Sequence, residues 1–195
     1  MIIYEINKLK PLEKVYPNHL NILSNMIINS GKVLSPIIAD KETGIVLDGS
    51  HRYIFFLKEG YQKIPVKLID YKDENIRVGT HLMHRHIIDG DPGISKKEVI
   101  KRGLTGDIYP PRTTRHFFPF RKNISANVKL SDLPKGKPLD ISNFIANVSI
   151  EEEINDNYKY LNEIDFEMDE IIKYLDEIRL TKIYLNKQIK AMKKQ

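Results

Sequence analysis

Gly44-Ile45-Val46-Leu47-Asp48-Gly49-Ser50-His51-Arg52-Tyr53 is the stretch whose reading decides the fold. A short apolar run stops at Asp-Gly. A hydroxyl, an imidazole and a guanidinium follow before a helical pattern begins. That order describes a strand entering a tight turn and then a helix N-terminus. Such a junction offers backbone N–H groups and the positive end of a helix dipole to an anion. Gly49 lets the backbone come close, Ser50 adds a hydroxyl, and Arg52 can fork two phosphate oxygens. A bare phosphate would repel Asp48. Its carboxylate therefore suits a Mg²⁺ ion or work on a second substrate. The same residues also suit an ordinary strand–turn–helix with Asp48 as N-cap.

Outward from this turn, strands and helices alternate. Leu12 to Val15 reads as extended, and Pro17 opens a helix running to about Asn29, with Leu20, Leu23, Met26 and Ile27 on one face and Gly31 as its stop. Pro36 to Asp40 is a strand whose hairpin partner is Ile45 to Leu47. The helix after Asp48 runs to Glu59, with Gly60 at its end, and Ile64 to Tyr71 is the next strand. Ile76 to Thr80 is extended. Ser95 and Glu98 have capping-box spacing and open a helix through Arg102. Tyr109-Pro110-Pro111-Arg112-Thr113-Thr114-Arg115-His116 is a stiff, basic loop. Residues 120–150 read as irregular. From Leu161 to Met192, apolar residues recur at alternating steps of three and four, with one polar break at Lys182. This is a long heptad helix, with Arg179 as the place where a bend or break would fall. It pairs with a second copy as a coiled coil, or folds on the body as a helix or hairpin. The expected organisation is an α+β body over residues 1–89, a region completing the active site over 90–150, and a helical tail over 151–195.

Composition narrows the function. The chain has 195 residues, 41% apolar and 29% charged, as expected of a soluble globular protein. No apolar run is long enough to span a bilayer. The start, Met1-Ile2-Ile3-Tyr4-Glu5, lacks signal-peptide features, so a cytoplasmic location is expected. Cysteine is absent, which removes disulfides, thiolate metal sites and cysteine catalysis. Residues 1–150 carry 23 Lys or Arg against 15 Asp or Glu, a basic body suited to an anionic ligand. Residues 151–178 carry 11 acidic side chains and two Lys, whereas residues 179–195 carry six basic ones and no acid.

Two further clusters bear chemistry. His81, His84 and His86 fall within six residues, but the run holds no acid, and surface or substrate contact fits it better than a metal site. Thr113, Thr114, Arg115 and His116 could hold a carboxylate or a phosphate, or form a basic surface loop.

In this order, the turn Leu47-Asp48-Gly49-Ser50-His51-Arg52, the following Gly60 and Ile64-Pro65-Val66 resemble the ParB/sulfiredoxin fold. The loop Pro110-Pro111-Arg112-Thr113-Thr114-Arg115-His116 is similar to that of the free L-serine kinases of this fold. The resemblance covers roughly residues 10–120. It implies a ParB/sulfiredoxin-like nucleotide-binding domain, a second small α/β lobe and a tail outside the likeness. It also implies transfer of phosphate from ATP or ADP, with Mg²⁺, to free L-serine, giving O-phospho-L-serine for cysteine and serine metabolism. Carried over residue by residue, Glu13 matches the catalytic base, and Asp48 a catalytic and metal-binding carboxylate. Gly49, Ser50, His51 and Arg52 match the phosphate-binding turn, and Thr113, Thr114, Arg115 and His116 the serine-recognition loop. Arg115 would pair the serine carboxylate. Position 50 is Ser where many relatives have a second His, and the chain has no Trp. The expected partners are L-serine and an adenine nucleotide, with no membrane and no nucleic acid, plus a homodimer through the C-terminal helix. The alternative is a ParB-like DNA-binding or nucleotide-switch protein, but residues 90–150 do not read as a helix-turn-helix. A sulfiredoxin would need a cysteine in the turn.

Overall fold

The computed structural model describes residues 1–80, 94–120 and 125–192. His81, His84 and His86, and the loop expected at 89–93, lie outside the described residues.

A four-stranded sheet forms the centre. Strands β1 (Ile2–Glu5), β3 (Ile37–Asp40), β4 (Val46–Asp48) and β5 (Lys63–Ile69) lie in the order β1-β5-β3-β4. The β3–β4 hairpin is antiparallel, with an irregularity between Ile38 and Ala39, whereas β3 and β5 are parallel. Parallel neighbours need a crossover, and helix α2 (Ser50–Lys58) supplies it. All four residues of β3 are buried, because both faces of the sheet are covered.

The period-two alternation of the strands divides the core. Ile37, Ala39, Val46, Ile64 and Val66 face α1 (Pro17–Ser30) and α2 and pack with Leu20, Phe55 and Phe56. Ile38, Leu47 and Ile69 face the other way and pack with Val99 of α3 (Lys96–Thr105) and with Val78. Val78 belongs to β6 (Arg77–Gly79), which pairs with β7 (Arg115–Phe117). Gly103 of α3 lies so close to β4 that a Cβ there would meet Ile45 Cδ1 at 2.6 Å. Residues 94–118 therefore share one core with the sheet. A short β2 (Lys32–Val33) pairs with β8 (Val128–Lys129), inside the region read as irregular.

Local signals match their elements. Pro17 occupies the first turn of α1, and Gly31 ends it at φ 64°. The Ser95 side chain accepts from Glu98 N at 3.1 Å, the expected capping bond. The turn after β4 differs from the N-cap reading. Gly49, not Asp48, is the N-cap of α2, and its φ of 96° is in the left-handed region that suits glycine. The last helix, α4 (Ile150–Met192), is one unbroken element of 43 residues, so Arg179 lies inside it and marks no break. Among the described residues, no helix is long and apolar enough to cross a membrane.

Candidate active site

The site is assembled by one extended segment. Residues 10–15 thread between three parts of the chain. Val46 N donates to Lys10 O, Lys14 N to Tyr109 O, Tyr109 N to Leu12 O, and Val15 N to Phe144 O. These bonds hold Glu13 beside the loop that follows Tyr109, about a hundred residues downstream. The Glu13 carboxylate accepts from the Thr114 amide at 2.5 Å and from Thr114 Oγ1 at 2.7 Å.

Glu13 lines a cavity of about 260 Å³ together with Asp48, Gly49, Ser50, His51 and Arg52. Burial raises the Glu13 pKa to about 7; hydrogen bonds from Thr114 and the Arg112 backbone oppose that rise, and the nearby Asp48 adds to it. A carboxyl group that titrates near neutrality is suited to accept a proton from a substrate hydroxyl.

Two helix N-termini meet this cavity. At α1, Glu153 of α4 fills the position: its carboxylate accepts from Asn18 N at 3.1 Å and His19 N at 2.8 Å. Those are orphan donors of the first turn, and the buried anion also complements the dipole. At α2, the N-cap is Gly49, which has no side chain of its own, and no side chain of the described residues takes the place that Glu153 takes at α1. The Gly49–Arg52 turn lines the cavity instead. Arg52 folds back over Gly49, within 3.3 Å of both Asp48 Oδ2 and Pro36 O. A Cβ on Gly49 would lie 2.6 Å from the Arg52 guanidinium.

His51 stacks on His19 with ring centroids 4.2 Å apart, and its Nε2 accepts from Tyr16 N at 3.2 Å. Accepting there puts the ring proton on Nδ1. Burial pushes the pKa down to about 3, assisted by His19, Arg112 and Arg52, so the imidazole is neutral. His51 is then a positioned neutral donor and acceptor.

No protein-family model matches the chain. An ATP-dependent L-serine kinase of Staphylothermus marinus is 37% identical over 83 residues, 40% of this chain and 33% of that protein. A ParB-like protein of Sulfolobus acidocaldarius is 39% identical over 72 residues, 36% of this chain and 35% of its own. The chain spans about a third of the length of these curated relatives. Among solved structures, a free serine kinase in complex with AMP superposes with a TM-score of 0.59 at 18% identity, over 68% of this chain and 92% of that one. The chain has the fold of the free serine kinases.

Within that serine-kinase fold, the residues singled out by sequence divide. Glu13, Asp48, Gly49, Ser50, His51, Arg52 and Thr114 line the one cavity. Thr113 turns its hydroxyl to Pro110 O at 2.9 Å and lines an adjoining cavity of about 280 Å³. Arg115 lies on β7 with its guanidinium 4.9 Å from the Phe117 ring centroid. His116 is buried, 2.9 Å from the Tyr71 hydroxyl, and stacks on Phe118. Neither Arg115 nor His116 is among the described residues lining either cavity.

Arg112, which sequence reasoning passed over, stands where the two cavities meet. Its φ of 56° is unusual for a side chain that bulky. The guanidinium lies 5.3 Å from the Tyr16 ring centroid and 5.0 Å from that of Tyr160 of α4, and its buried Nη1 has no hydrogen-bond partner among the described residues. A buried guanidinium nitrogen without an acceptor is costly unless a ligand supplies one. The stiff Pro110-Pro111 approach was the sequence signal, pointing one residue short of the group it presents. Glu153 and Asp156, which accepts from the Tyr16 hydroxyl at 2.7 Å, had looked like members of a remote tail.

Among the described residues, no group of three or more His, Asp or Glu gathers as a metal site. A Mg²⁺ ion needs fewer protein ligands when substrate phosphates supply the rest. Asp48, on the wall of the same cavity as the Gly49–Arg52 turn, fits that requirement.

Proposed function

We propose that this chain phosphorylates free L-serine to O-phospho-L-serine, with ATP or ADP as donor and Mg²⁺ bound at Asp48. The observation that carries the reading is the joint placement of Glu13, with its pKa near 7, and the Gly49–Arg52 turn at the start of α2 on the wall of one cavity.

Each group has a task. The Gly49–Arg52 backbone and the Arg52 guanidinium hold the donor's phosphate oxygens. Mg²⁺ would neutralise phosphate charge at Asp48. Glu13 Oε2 takes the serine hydroxyl proton as the oxygen attacks the donor's terminal phosphorus, the bond from that phosphorus to its bridging oxygen breaks and ADP (from ATP) or AMP (from ADP) leaves, and Thr114 holds the other carboxylate oxygen still. Phosphoryl transfer depends on such positioning and charge neutralisation more than on covalent help from the protein. Arg112 pairs the serine carboxylate, the task expected of Arg115, because its guanidinium reaches the cavity. The neutral His51 keeps the turn in register through Tyr16. The product would feed amino-acid biosynthesis, with the enzyme in the cytoplasm.

The similarity to a ParB-like protein and the basic body favour DNA binding as a second reading. One experiment separates the two. The protein is incubated with Mg²⁺, L-serine and either ATP or ADP, and the products are weighed by mass spectrometry. Phosphoserine with either donor supports the kinase. No phosphoserine together with salt-sensitive duplex binding replaces the kinase with the DNA reading. Arg112→Ala should raise the serine KM at least tenfold with little change in the nucleotide KM; equal changes in both would remove Arg112 from the serine site.

A further inference from the structure

Among the described residues, helix α4 meets the body through its first four turns. Its contacts through Glu153, Asp156 and Tyr160 lie near the N-terminal end, and at about 1.5 Å per residue the remainder extends some 40 Å. That remainder carries the apolar stripe. Apart from the half-buried Ile164, the large apolar stripe residues from Leu161 to Met192 are 40–65% exposed. The stripe holds its three-and-four spacing for about four and a half heptads, enough for a stable coiled coil. An isolated helix with such a stripe is incompletely buried.

Charge identifies what covers it. Acidic side chains fill the helix up to Glu177, and only basic ones follow from Arg179. Two parallel copies would set acid against acid and base against base. They would also place Lys182, the one polar residue of the stripe, beside its own counterpart in the seam. Two antiparallel copies set each acidic half against a basic half. With the seam centred between Leu175 and Ile178, every stripe residue finds a partner. Leu161 meets Met192 of the partner subunit, Leu175 meets Ile178 of the partner subunit, and Lys182 meets Ile171 of the partner subunit, next to an acidic neighbour at 170.

We infer that the exposed face of α4 binds a second copy of this chain as an antiparallel coiled coil, in the register that places Leu161 opposite Met192 of the partner subunit. The seam ends one residue from Tyr160, which packs on Arg112, so each tail finishes beside the other copy's cavity wall. This inference stands independently of the catalytic reading.

The absence of cysteine makes the register directly readable. Leu161→Cys and Met192→Cys proteins are prepared separately, mixed as full chains, and treated with an oxidant or a short bismaleimide. The expected result is a covalent dimer from the mixture and little from either variant alone. Light scattering of the unmodified chain at about 10 µM should give twice the chain mass. A Leu175→Asp, Ile178→Asp double variant should run as a monomer while its body keeps its thermal transition. A monomeric parent chain overturns the inference. So does a dimer in which Leu161→Cys cross-links to itself, the signature of parallel pairing, or one in which the mixture fails to cross-link.

Discussion

Helices α1 and α2 both start beside the same cavity, yet the first turn of α1 is capped by the Glu153 carboxylate and that of α2 by no side chain of the described residues. Both present orphan N–H donors and a positive dipole end. In the proposed reading the chain therefore offers two helix termini to anions and fills one of them with its own side chain, delivered from 135 residues away. By this contrast α1 is the structural terminus and α2 the one proposed to receive a ligand. It also explains why the root of a helix that looks like an appendage belongs to the site: Glu153 and Asp156 anchor α1, and Tyr160 braces Arg112.

The comparison breaks most severely at Gly49. Gly49→Ala forces a left-handed residue to carry a Cβ and pushes it into the Arg52 guanidinium. The backbone term alone costs ~1–2 kcal/mol, and nucleotide affinity should fall at least tenfold by calorimetry. An Ala variant with unchanged affinity would take the α2 turn out of phosphate binding. Opening the filled terminus is the converse change. Glu153→Ala strands the Asn18 and His19 amides and should cost ~2 kcal/mol in denaturant unfolding, with the nucleotide Kd within about twofold. A large loss of nucleotide affinity would mean that α1, not α2, carries the donor.

Glu13 sharpens the contrast, because it stabilises nothing where it is charged. Its folded pKa, near 7, lies above the ordinary 4.5, so the neutral form fits its site best. Its contribution to stability is fully present below pH 4.5 and is lost as pH rises through 7. Glu13→Gln should therefore be up to ~2 kcal/mol more stable than the parent at pH 8 and nearly equal at pH 4.5. Equal stability at both pH values would contradict the raised pKa. The smallest expected effect is Tyr16→Phe, which removes the bond to Asp156 and should cost ~1 kcal/mol while leaving nucleotide binding unchanged.

The sequence already showed the Asp48–Arg52 junction, the hairpin before it and the Ser95 cap, because each depends on residues close in the chain. Asp48 as N-cap was the local misreading. An Asp before Gly satisfies a capping pattern, but the left-handed Gly49 moves the cap one residue on. The approach of Glu13 to Thr114 depends on two strand-like bonds around Tyr109, which no spacing rule exposes. Arg112 was hidden for a related reason: its value comes from an unusual φ and from two tyrosines distant in sequence. His116 was hidden in the opposite sense. Its neighbours in the loop are polar, yet the β6–β7 pairing turns its ring inward to Tyr71.

The most direct test follows phosphoserine formation by the parent and by Glu13→Gln from pH 5.5 to 9, with Mg²⁺, saturating L-serine and each nucleotide in turn. The base must be ionised, so the parent's rate should fall about tenfold per unit below pH 7 and level off above it. The variant should be slower by roughly 10²- to 10⁴-fold and show no such titration. A variant as fast as the parent, or a parent that forms no phosphoserine at any pH with either donor, would contradict the account.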